Sequence, residues 1–167
     1  MKEIKGDLIE LAKAGEFDVI THGCNCQNSM GSGIAVPMKQ NFGCDSFPKE
    51  HPKYQGDINK LGTIDFQSGT VVNKEFKNWL YSDTRHEGHI LTIVNSYTQY
   101  RYGREKRQVD YEAMTICMRK INAIFPGKRI GLPAIGAGLG GGDWTIIKNI
   151  IESELKDMDV TIVYYNK

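Results

Sequence analysis

Two long segments of the chain repeat apolar residues every three or four positions, which is the period of an amphipathic helix. The first follows Asp110 and the second follows Asp143, and aspartate is a favoured residue at a helix N-cap. The apolar positions of the first segment are Met114, Cys117, Met118, Ile121, Ile124 and Phe125. Those of the second segment are Ile147, Ile150, Ile151 and Leu155. The pattern therefore predicts two helices in the second half of the chain.

Short apolar runs lie between the helical segments and are typical of strands. The run 89–95 is nearly continuous, as expected for a strand that is buried on both faces of a sheet. Further extended segments are predicted over 17–21, 62–66, 70–81, 128–134 and 159–165, and the charged stretch 73–78 interrupts the segment 70–81, with a turn there as one alternative. Further helices are predicted over 8–14 and 33–42, and a loop or short helix over 43–60. This alternation predicts one three-layer α/β domain over residues 1–167, with helices on both faces of a mixed, partly parallel sheet.

Two glycine-rich turns each lie between a predicted strand and a predicted helix. The first spans residues 24–35 and the second spans residues 136–144. Such a turn can direct backbone N–H groups and a helix N-terminus at an anion, and glycine lets the backbone approach it closely. Two turns of this kind on one small domain predict a ligand with two phosphates.

Two common phosphate-binding motifs fit the sequence poorly. Gly136, Gly138 and Gly141 have the spacing of a dinucleotide-binding fingerprint, but only one predicted strand follows them, whereas that fold has several. The P-loop pattern, which ends in lysine and a hydroxyl residue, does not occur. The turns therefore indicate another kind of phosphate site.

The charge of the chain favours a small-molecule ligand. The formal net charge is +1 over 167 residues, so we do not expect the strongly basic surface of a nucleic-acid-binding protein. The basic segment 100–107 is the local candidate for contact with a polyanion. No apolar stretch is long enough for a membrane span, and the N-terminus lacks a signal-peptide core. We expect a cytoplasmic monomer with no membrane partner.

The four cysteines, at positions 24, 26, 44 and 117, lack the paired spacing of a structural zinc site. We therefore expect reduced, packed thiols and no metal. Cys24 or Cys26 as a nucleophile is the alternative, because a helix N-terminus lowers the pKa of a thiol.

The order of the motifs resembles the macro domain, the ADP-ribose-binding module. Ile4-Lys5-Gly6-Asp7-Leu8 is similar to the family's opening motif, and the first glycine turn, Val94-Asn95-Ser96 and the second glycine turn follow in the family's order. The resemblance covers nearly the whole chain. It implies the three-layer α/β/α macro-domain fold with a mixed central sheet, and no cofactor.

The resemblance also implies how the ligand lies. Asp7 would accept a hydrogen bond from the adenine amino group, Asn25 would face the distal ribose, and the two glycine turns would clasp the diphosphate. Tyr164 or Tyr165 would stack on adenine, and strand alternation lets only one of them face the cleft. The substrate-binding residues implied are Asp7, Leu8, Asn25, Gly31, Ser32, Gly33, Ile34, Ala35, Asn95, Gly136, Ala137, Gly138, Leu139, Gly140 and Tyr165.

Within the family, the segments 22–27 and 140–144 are most similar to the yeast-type ADP-ribose 1''-phosphate phosphatases. This resemblance implies that His22 and Asp143 are the catalytic pair. A histidine can attack phosphorus or protonate a leaving oxygen, and a carboxylate can orient it or activate water. Asp143 also has a purely structural interpretation as a helix N-cap, and His22 could simply satisfy backbone groups.

Two other functions remain open from the sequence. One is a hydrolase that removes ADP-ribose from a protein, a nucleic acid or an acetyl ester, and the other is a non-catalytic reader of ADP-ribose. The related glutamate-ADP-ribose hydrolases use a lysine near the end of the middle strand and an aspartate after the second turn's G-x-G-L. In this sequence Asn95 or a neighbour and Gly140 occupy those places, which disfavours the lysine mechanism.

Overall fold

A computed structural model describes residues 1–50, 56–103, 107–138 and 140–165. These residues form one seven-stranded sheet. The strands are β1 (Lys2–Gly6), β2 (Val19–Asn25), β3 (Ile64–Val72), β4 (Glu75–Asn78), β5 (His89–Gln99), β6 (Arg129–Leu132) and β7 (Asp159–Tyr165). The helices are α1 (Leu8–Lys13), α2 (Ala35–Phe42), α3 (Tyr111–Ile124) and α4 (Trp144–Glu154), with 3-10 helices at Cys44–Glu50 and Ile58–Lys60.

The strand order is β1-β7-β6-β2-β5-β3-β4. The five strands from β1 to β5 in this order are parallel to one another, whereas β3 is antiparallel to both of its neighbours. The carboxyl ends of five adjacent strands therefore meet at one edge of the sheet. In open α/β sheets, ligands bind at that edge.

Helices cover both faces of the sheet, which confirms the predicted three-layer fold. On one face α1 and α2 pack on the apolar side chains of β2 and β5, and on the other α3 and α4 pack on β6, β7 and β5. The buried face of α3 consists of Ala113, Met114, Cys117, Met118 and Ile121. Burial of an apolar side chain of this size contributes about 1.5–3 kcal/mol, so these two cores hold the strand ends in place.

The N-caps of three helices agree with the sequence pattern. The carboxylates of Asp7, Asp110 and Asp143 accept backbone N–H bonds from the first turns of α1, α3 and α4, respectively. Pro37 lies in the first turn of α2, where the N–H that proline lacks would have no helical partner.

Several strands differ from the predicted extents. β2 continues to Asn25 rather than ending at 21, and β3 is continuous from Ile64 to Val72, which joins the predicted segment 62–66 to the start of 70–81. β5 continues to Gln99 rather than ending at Asn95, because its polar residues find partners inside the sheet; the Ser96 hydroxyl lies 2.7 Å from that of Thr21. A hairpin turn at Asn73 and Lys74, which both have positive φ, divides the segment 70–81 where the sequence predicted an interruption. None of the helices in the described ranges is long and apolar enough to cross a membrane.

Candidate functional site

A continuous cleft crosses the carboxyl ends of the five parallel strands. It has two parts, which we name the tyrosine chamber, with Asp7, Leu8, Tyr164 and Tyr165 in its wall, and the glycine chamber, with Ser32 and both glycine turns in its wall. Their volumes are about 510 and 410 Å³, which is the size range of small-molecule sites. The two chambers share the walls Gly33, Ile34, Pro133 and Ala134. One elongated ligand can therefore occupy both.

Asp7 lies at the start of α1 and borders the tyrosine chamber. Its Oδ1 accepts hydrogen bonds from the amides of Ile9 and Glu10, at 2.9 and 3.2 Å. Its Oδ2 accepts no hydrogen bond from the residues that the structure describes. One carboxylate therefore caps the helix and keeps an acceptor for a ligand donor.

The two tyrosines at the end of β7 have different surroundings. The Tyr164 hydroxyl donates to Glu3 and accepts from the indole nitrogen of Trp144, and the Tyr164 and Trp144 rings meet edge to face. Tyr165 is 70% exposed and lies on the same side of β7 as Val163, which also borders the tyrosine chamber. The ring of Tyr165 is thus the one available for stacking on a planar ligand.

The first glycine turn borders both chambers and leads into α2. Within the described part of the chain, the amides of residues 31–34 donate no hydrogen bond. Gly33 has φ of +62°, a conformation that glycine adopts without strain. Ser32 and Ala35 lie in the cleft wall, whereas Gly31 is exposed beside it. Free amides in front of a helix N-terminus form an anion site.

Asn25 lies in the cleft wall, and its side chain closes the turn that follows β2. Its Oδ1 accepts from the amides of Gln27 and Ser29, both at 3.1 Å, and its Nδ2 donates to the Ser29 carbonyl at 2.9 Å. One hydrogen of Nδ2 is left for a ligand. The main role of this side chain is therefore to shape the turn, and its remaining amide hydrogen can contact a ligand.

The second glycine turn faces the first across the cleft. Gly136 has φ of +75°, and its carbonyl accepts from the amide of Gly142 at 2.8 Å. No described residue accepts a hydrogen bond from the amides of Gly136, Gly138 or Gly140, and these three glycines border the glycine chamber. Ala137 is instead packed on the core, and Leu139 lies outside the described residues.

The glycine chamber also has walls that the sequence analysis missed. They include Gly23, Ser29, Gln99, Tyr102 and Ile135. The signal that could have found Gln99 is its place just beyond an apolar strand, since the carboxyl ends of parallel strands meet at the ligand edge. None of the described side chains around this chamber carries a formal charge.

His22 is fully buried beneath the cleft and does not border it. Its Nε2 lies 2.8 Å from Oδ1 of Asn95, and Asn95 in turn donates to Asp65 at 2.7 Å and to the Cys44 carbonyl at 3.0 Å. Because Asn95 uses its amide hydrogens on those acceptors, His22 must carry its proton on Nε2. Its Nδ1 has no hydrogen-bond partner among the described residues.

Burial lowers the pKa of His22 to about 4, against the opposing effect of the Asn95 hydrogen bond. The imidazole is therefore neutral at pH 7. Asn95 is equally buried, and its side chain is occupied by protein partners rather than facing the cleft. The structure thus places both residues in a buried polar network that does not border the cleft, and their predicted roles stay predictions.

Asp143 is exposed and caps α4 through a 2.9 Å hydrogen bond from the amide of Thr145. Its own amide donates to the Tyr111 hydroxyl at 2.9 Å. Its side chain neither borders the cleft nor contacts His22. The structure therefore does not bring the predicted catalytic pair together, and the catalytic role of each residue stays a prediction.

The four cysteines are buried free thiols. Burial raises the pKa of each, for Cys26 to about 11, so none is a ready thiolate at neutral pH. Among the described residues, no group of three or more histidine, cysteine, aspartate or glutamate side chains could hold a metal ion.

Of the predicted basic segment 100–107, Tyr102 and Gly103 border the glycine chamber. Arg101 and Arg107 are exposed and lie over the rings of Tyr100 and Tyr111, at 5.7 and 4.3 Å from the ring centroids. Residues 104–106 lie outside the described part. The two arginines are near the mouth of the cleft but not in its wall.

Comparison with known sequences gives two informative relatives. The chain is 34% identical to the uncharacterized 17.5 kDa protein of the tk-vs intergenic region of Enterobacteria phage T4, over 98% of this chain and 95% of that one. It is 26% identical to the ADP-ribose 1''-phosphate phosphatase of Candida albicans, over 93% of this chain and 92% of that one. No protein-family model matches the sequence.

Solved structures with the same fold are macrodomains and their relatives. A protein of unknown function from Bacteroides thetaiotaomicron superposes with a TM-score of 0.71 at 22% identity, over 98% of this chain and 96% of that one. Thermosipho africanus DarTG in complex with ADP-ribose gives 0.65 at 18% identity, over 99% of this chain and 42% of that one. The macrodomain of Thermus aquaticus DarG gives 0.58 at 20% identity, over 99% and 97%.

Proposed function

Because the chain is a macro domain, in one family with the phage T4 17.5 kDa protein, we propose that it binds ADP-ribose in the cleft. The observation that carries this proposal is the pair of facing glycine turns with amides that have no described protein acceptor. An anion of two phosphates satisfies both turns at once, because each turn presents N–H groups and the first adds a helix N-terminus.

The two chambers fit the two ends of such a ligand. The adenine enters the tyrosine chamber, where Tyr165 stacks on its face and Oδ2 of Asp7 accepts from its amino group. The diphosphate lies over the shared walls Gly33 and Ile34. The terminal ribose then reaches the uncharged glycine chamber, where Asn25 can donate its remaining amide hydrogen.

Calorimetric titration of the purified protein with ADP-ribose, ADP and AMP tests the binding proposal. We expect ADP-ribose and ADP to bind, and AMP to bind more weakly because a single phosphate cannot engage both turns. A titration with ADP-ribose that gives no heat of binding would refute the proposal. Equal affinity for AMP and ADP would show that the turns do not act as a diphosphate clasp.

For chemistry, we propose that the protein removes the phosphate from ADP-ribose 1''-phosphate. The support is the Candida albicans relative, which matches over more than nine-tenths of both chains. His22 and Asp143 are the proposed catalytic pair. His22 directly precedes Gly23, a residue of the glycine chamber wall, and Nδ1 of His22 has no hydrogen-bond donor among the described residues. For direct action on a bound phosphate, the imidazole must rotate out of its buried pocket toward the chamber.

Release of inorganic phosphate from ADP-ribose 1''-phosphate tests this reaction, with and without a chelator. We compare the wild type with His22→Gln and Asp143→Asn, which replace the imidazole and the carboxylate by uncharged amides of similar size. Turnover by the wild type that is lost in His22→Gln, with ADP-ribose affinity retained, is the expected result. Unchanged turnover in both variants would remove the pair from the mechanism. Binding without turnover would favour the alternatives, an ADP-ribosyl hydrolase or a non-catalytic reader.

A further inference from the structure

Gln99 is the last residue of β5, the strand whose carboxyl end reaches the glycine chamber. The register between β2 and β5 shifts here: Cys24 pairs with Tyr97, whereas Asn25 pairs with Gln99, so Thr98 is an extra residue. A bulge of this kind redirects the side chain that follows it. The side chain of Gln99 consequently lies in the cleft wall, although the eight residues of β5 before it, 91–98, are buried.

The orientation of the Gln99 carboxamide is fixed by one hydrogen bond. The side chain places Nε2 2.7 Å from the carbonyl oxygen of Arg101. A backbone carbonyl can only accept, so the nitrogen must lie on that side and Oε1 must point the other way. Oε1 lies beside the second glycine turn, 3.1 Å from the position that a Cβ on Gly140 would take.

Oε1 of Gln99 is an acceptor with no donor among the residues that the structure describes. The described residues that line the glycine chamber around Oε1 carry no charged side chain. The negative end of an amide dipole repels a phosphate oxygen and attracts a hydroxyl hydrogen. The chemistry of this end of the cleft therefore matches a sugar hydroxyl, whereas the amides of the glycine turns match the diphosphate.

We propose that Gln99 is a specificity-determining residue, whose Oε1 accepts a hydrogen bond from a hydroxyl of the terminal ribose. This inference rests on the proposed binding of ADP-ribose, and it adds how the protein distinguishes ADP-ribose from ADP. The tyrosine chamber and the glycine turns contact the adenosine diphosphate part, which both ligands have. Gln99 contacts the terminal ribose, which ADP lacks.

The experiment measures the affinities of ADP-ribose and ADP for the wild type and for Gln99→Met, which has a similar shape and no carboxamide. Gln67→Met is the matched control, because Gln67 lies on β3 and makes its side-chain hydrogen bond to Asn78, away from the cleft. We expect Gln99→Met to weaken ADP-ribose binding by about threefold to tenfold, the usual effect of one neutral hydrogen bond, and to leave ADP binding unchanged. Gln67→Met should change neither affinity.

Three results would overturn the inference. An equal loss for both ligands would mean that Gln99 only shapes the loop at Arg101, and no loss for either would mean that its carboxamide does not contact the ligand. A wild type that binds neither ADP nor ADP-ribose would refute the proposed function itself, and with it the role of Gln99. The wild-type titrations therefore separate failure of the proposed function from failure of this inference.

Discussion

Asp7 can combine two roles in one carboxylate, since Oδ1 caps α1, the residue borders the tyrosine chamber, and Oδ2 has no hydrogen-bond partner among the described residues. Asp7→Ser separates them, because serine is also a good N-cap but is too short to present a second oxygen to a ligand. We expect ADP-ribose affinity to fall about tenfold or more, the effect of one hydrogen bond to a charged group, with little change in melting temperature.

Asp110→Ser is the matched control for Asp7, because Asp110 caps α3 in the same way and does not border the cleft. It should leave ADP-ribose affinity unchanged in calorimetry. If Asp7→Ser bound ADP-ribose as tightly as the wild type, the adenine contact assigned to Asp7 would be wrong.

His22 should make the stability of the protein depend on pH. Its pKa is about 4 in the folded protein, against about 6.5 for a histidine in an unfolded chain. Between these values the unfolded state binds a proton that the folded state does not, so the free energy of unfolding falls as pH falls. The His22 contribution is complete above pH 6.5 and decreases by about 3 kcal/mol on the way to pH 4.

Urea denaturation of the wild type and His22→Gln at several pH values measures this effect. Over that interval the wild type should lose about 3 kcal/mol more than His22→Gln, which cannot take up the proton. His86→Gln, at an exposed histidine, should keep the wild-type pH dependence. If the free energy of unfolding changed equally with pH in the wild type and in His22→Gln, the buried, neutral state of His22 would be contradicted.

The burial of His22 could not be predicted from its neighbours in the chain. The strand pattern placed it just beyond a strand over 17–21, whereas β2 runs from Val19 to Asn25 and His22 lies in its middle. Its side chain is buried against the adjacent strand β5, where the Asn95 side chain accepts a hydrogen bond from it. This pairing depends on the register between the two strands. By contrast, Asp7, Ser32 and Gly136 lie in the cleft wall, and their positions follow from local turns and caps; their ligand contacts stay predictions.

At the scale of elements, the second glycine turn is closely packed in one part and open in another. A Cβ on Gly140 would lie 2.7 Å from the Gly136 carbonyl oxygen, whereas a Cβ on Gly138 would meet no heavy atom within 4 Å. Gly140→Ala should therefore cost about 1–3 kcal/mol, as for other overpacked sites. Gly138→Ala should stay within about 0.5 kcal/mol of the wild type.

Thermal unfolding of the two alanine variants tests this difference within the turn. For a protein of this length, we expect Gly140→Ala to melt about 3–10 °C below the wild type and Gly138→Ala to melt close to it. Equal melting temperatures would show that the turn can open around Gly140 at no cost.

The elements that the sequence predicted best are those with a strong local pattern. α3 and α4 begin directly after Asp110 and Asp143 as predicted, because an amphipathic face and an N-cap are both local signals. The end of β5 was predicted too early, at Asn95, since its polar residues look like a loop until their partners on β2 and β3 are known. Pairing between distant segments is the information that periodicity does not contain.

At the scale of the whole molecule, the cleft is the place where five parallel strands and both apolar cores end. Its walls come from the ends of β1 and β7 at one side and from those of β2 and β5 at the other. A ligand in both chambers therefore contacts segments from both sides of the parallel part of the sheet. Unfolding must release such a ligand, so binding raises the free energy of unfolding.

ADP-ribose should consequently stabilise the protein against heat. At a free concentration about 100 times its dissociation constant, a single bound ligand contributes about 2.7 kcal/mol, which corresponds to a rise in melting temperature of about 5–10 °C at this chain length. At the same concentration, ribose 5-phosphate should give a much smaller rise, because it offers one phosphate and no adenine. An equal rise from ribose 5-phosphate would mean that one anion at one turn accounts for the stabilisation, and that the two chambers do not act as one site.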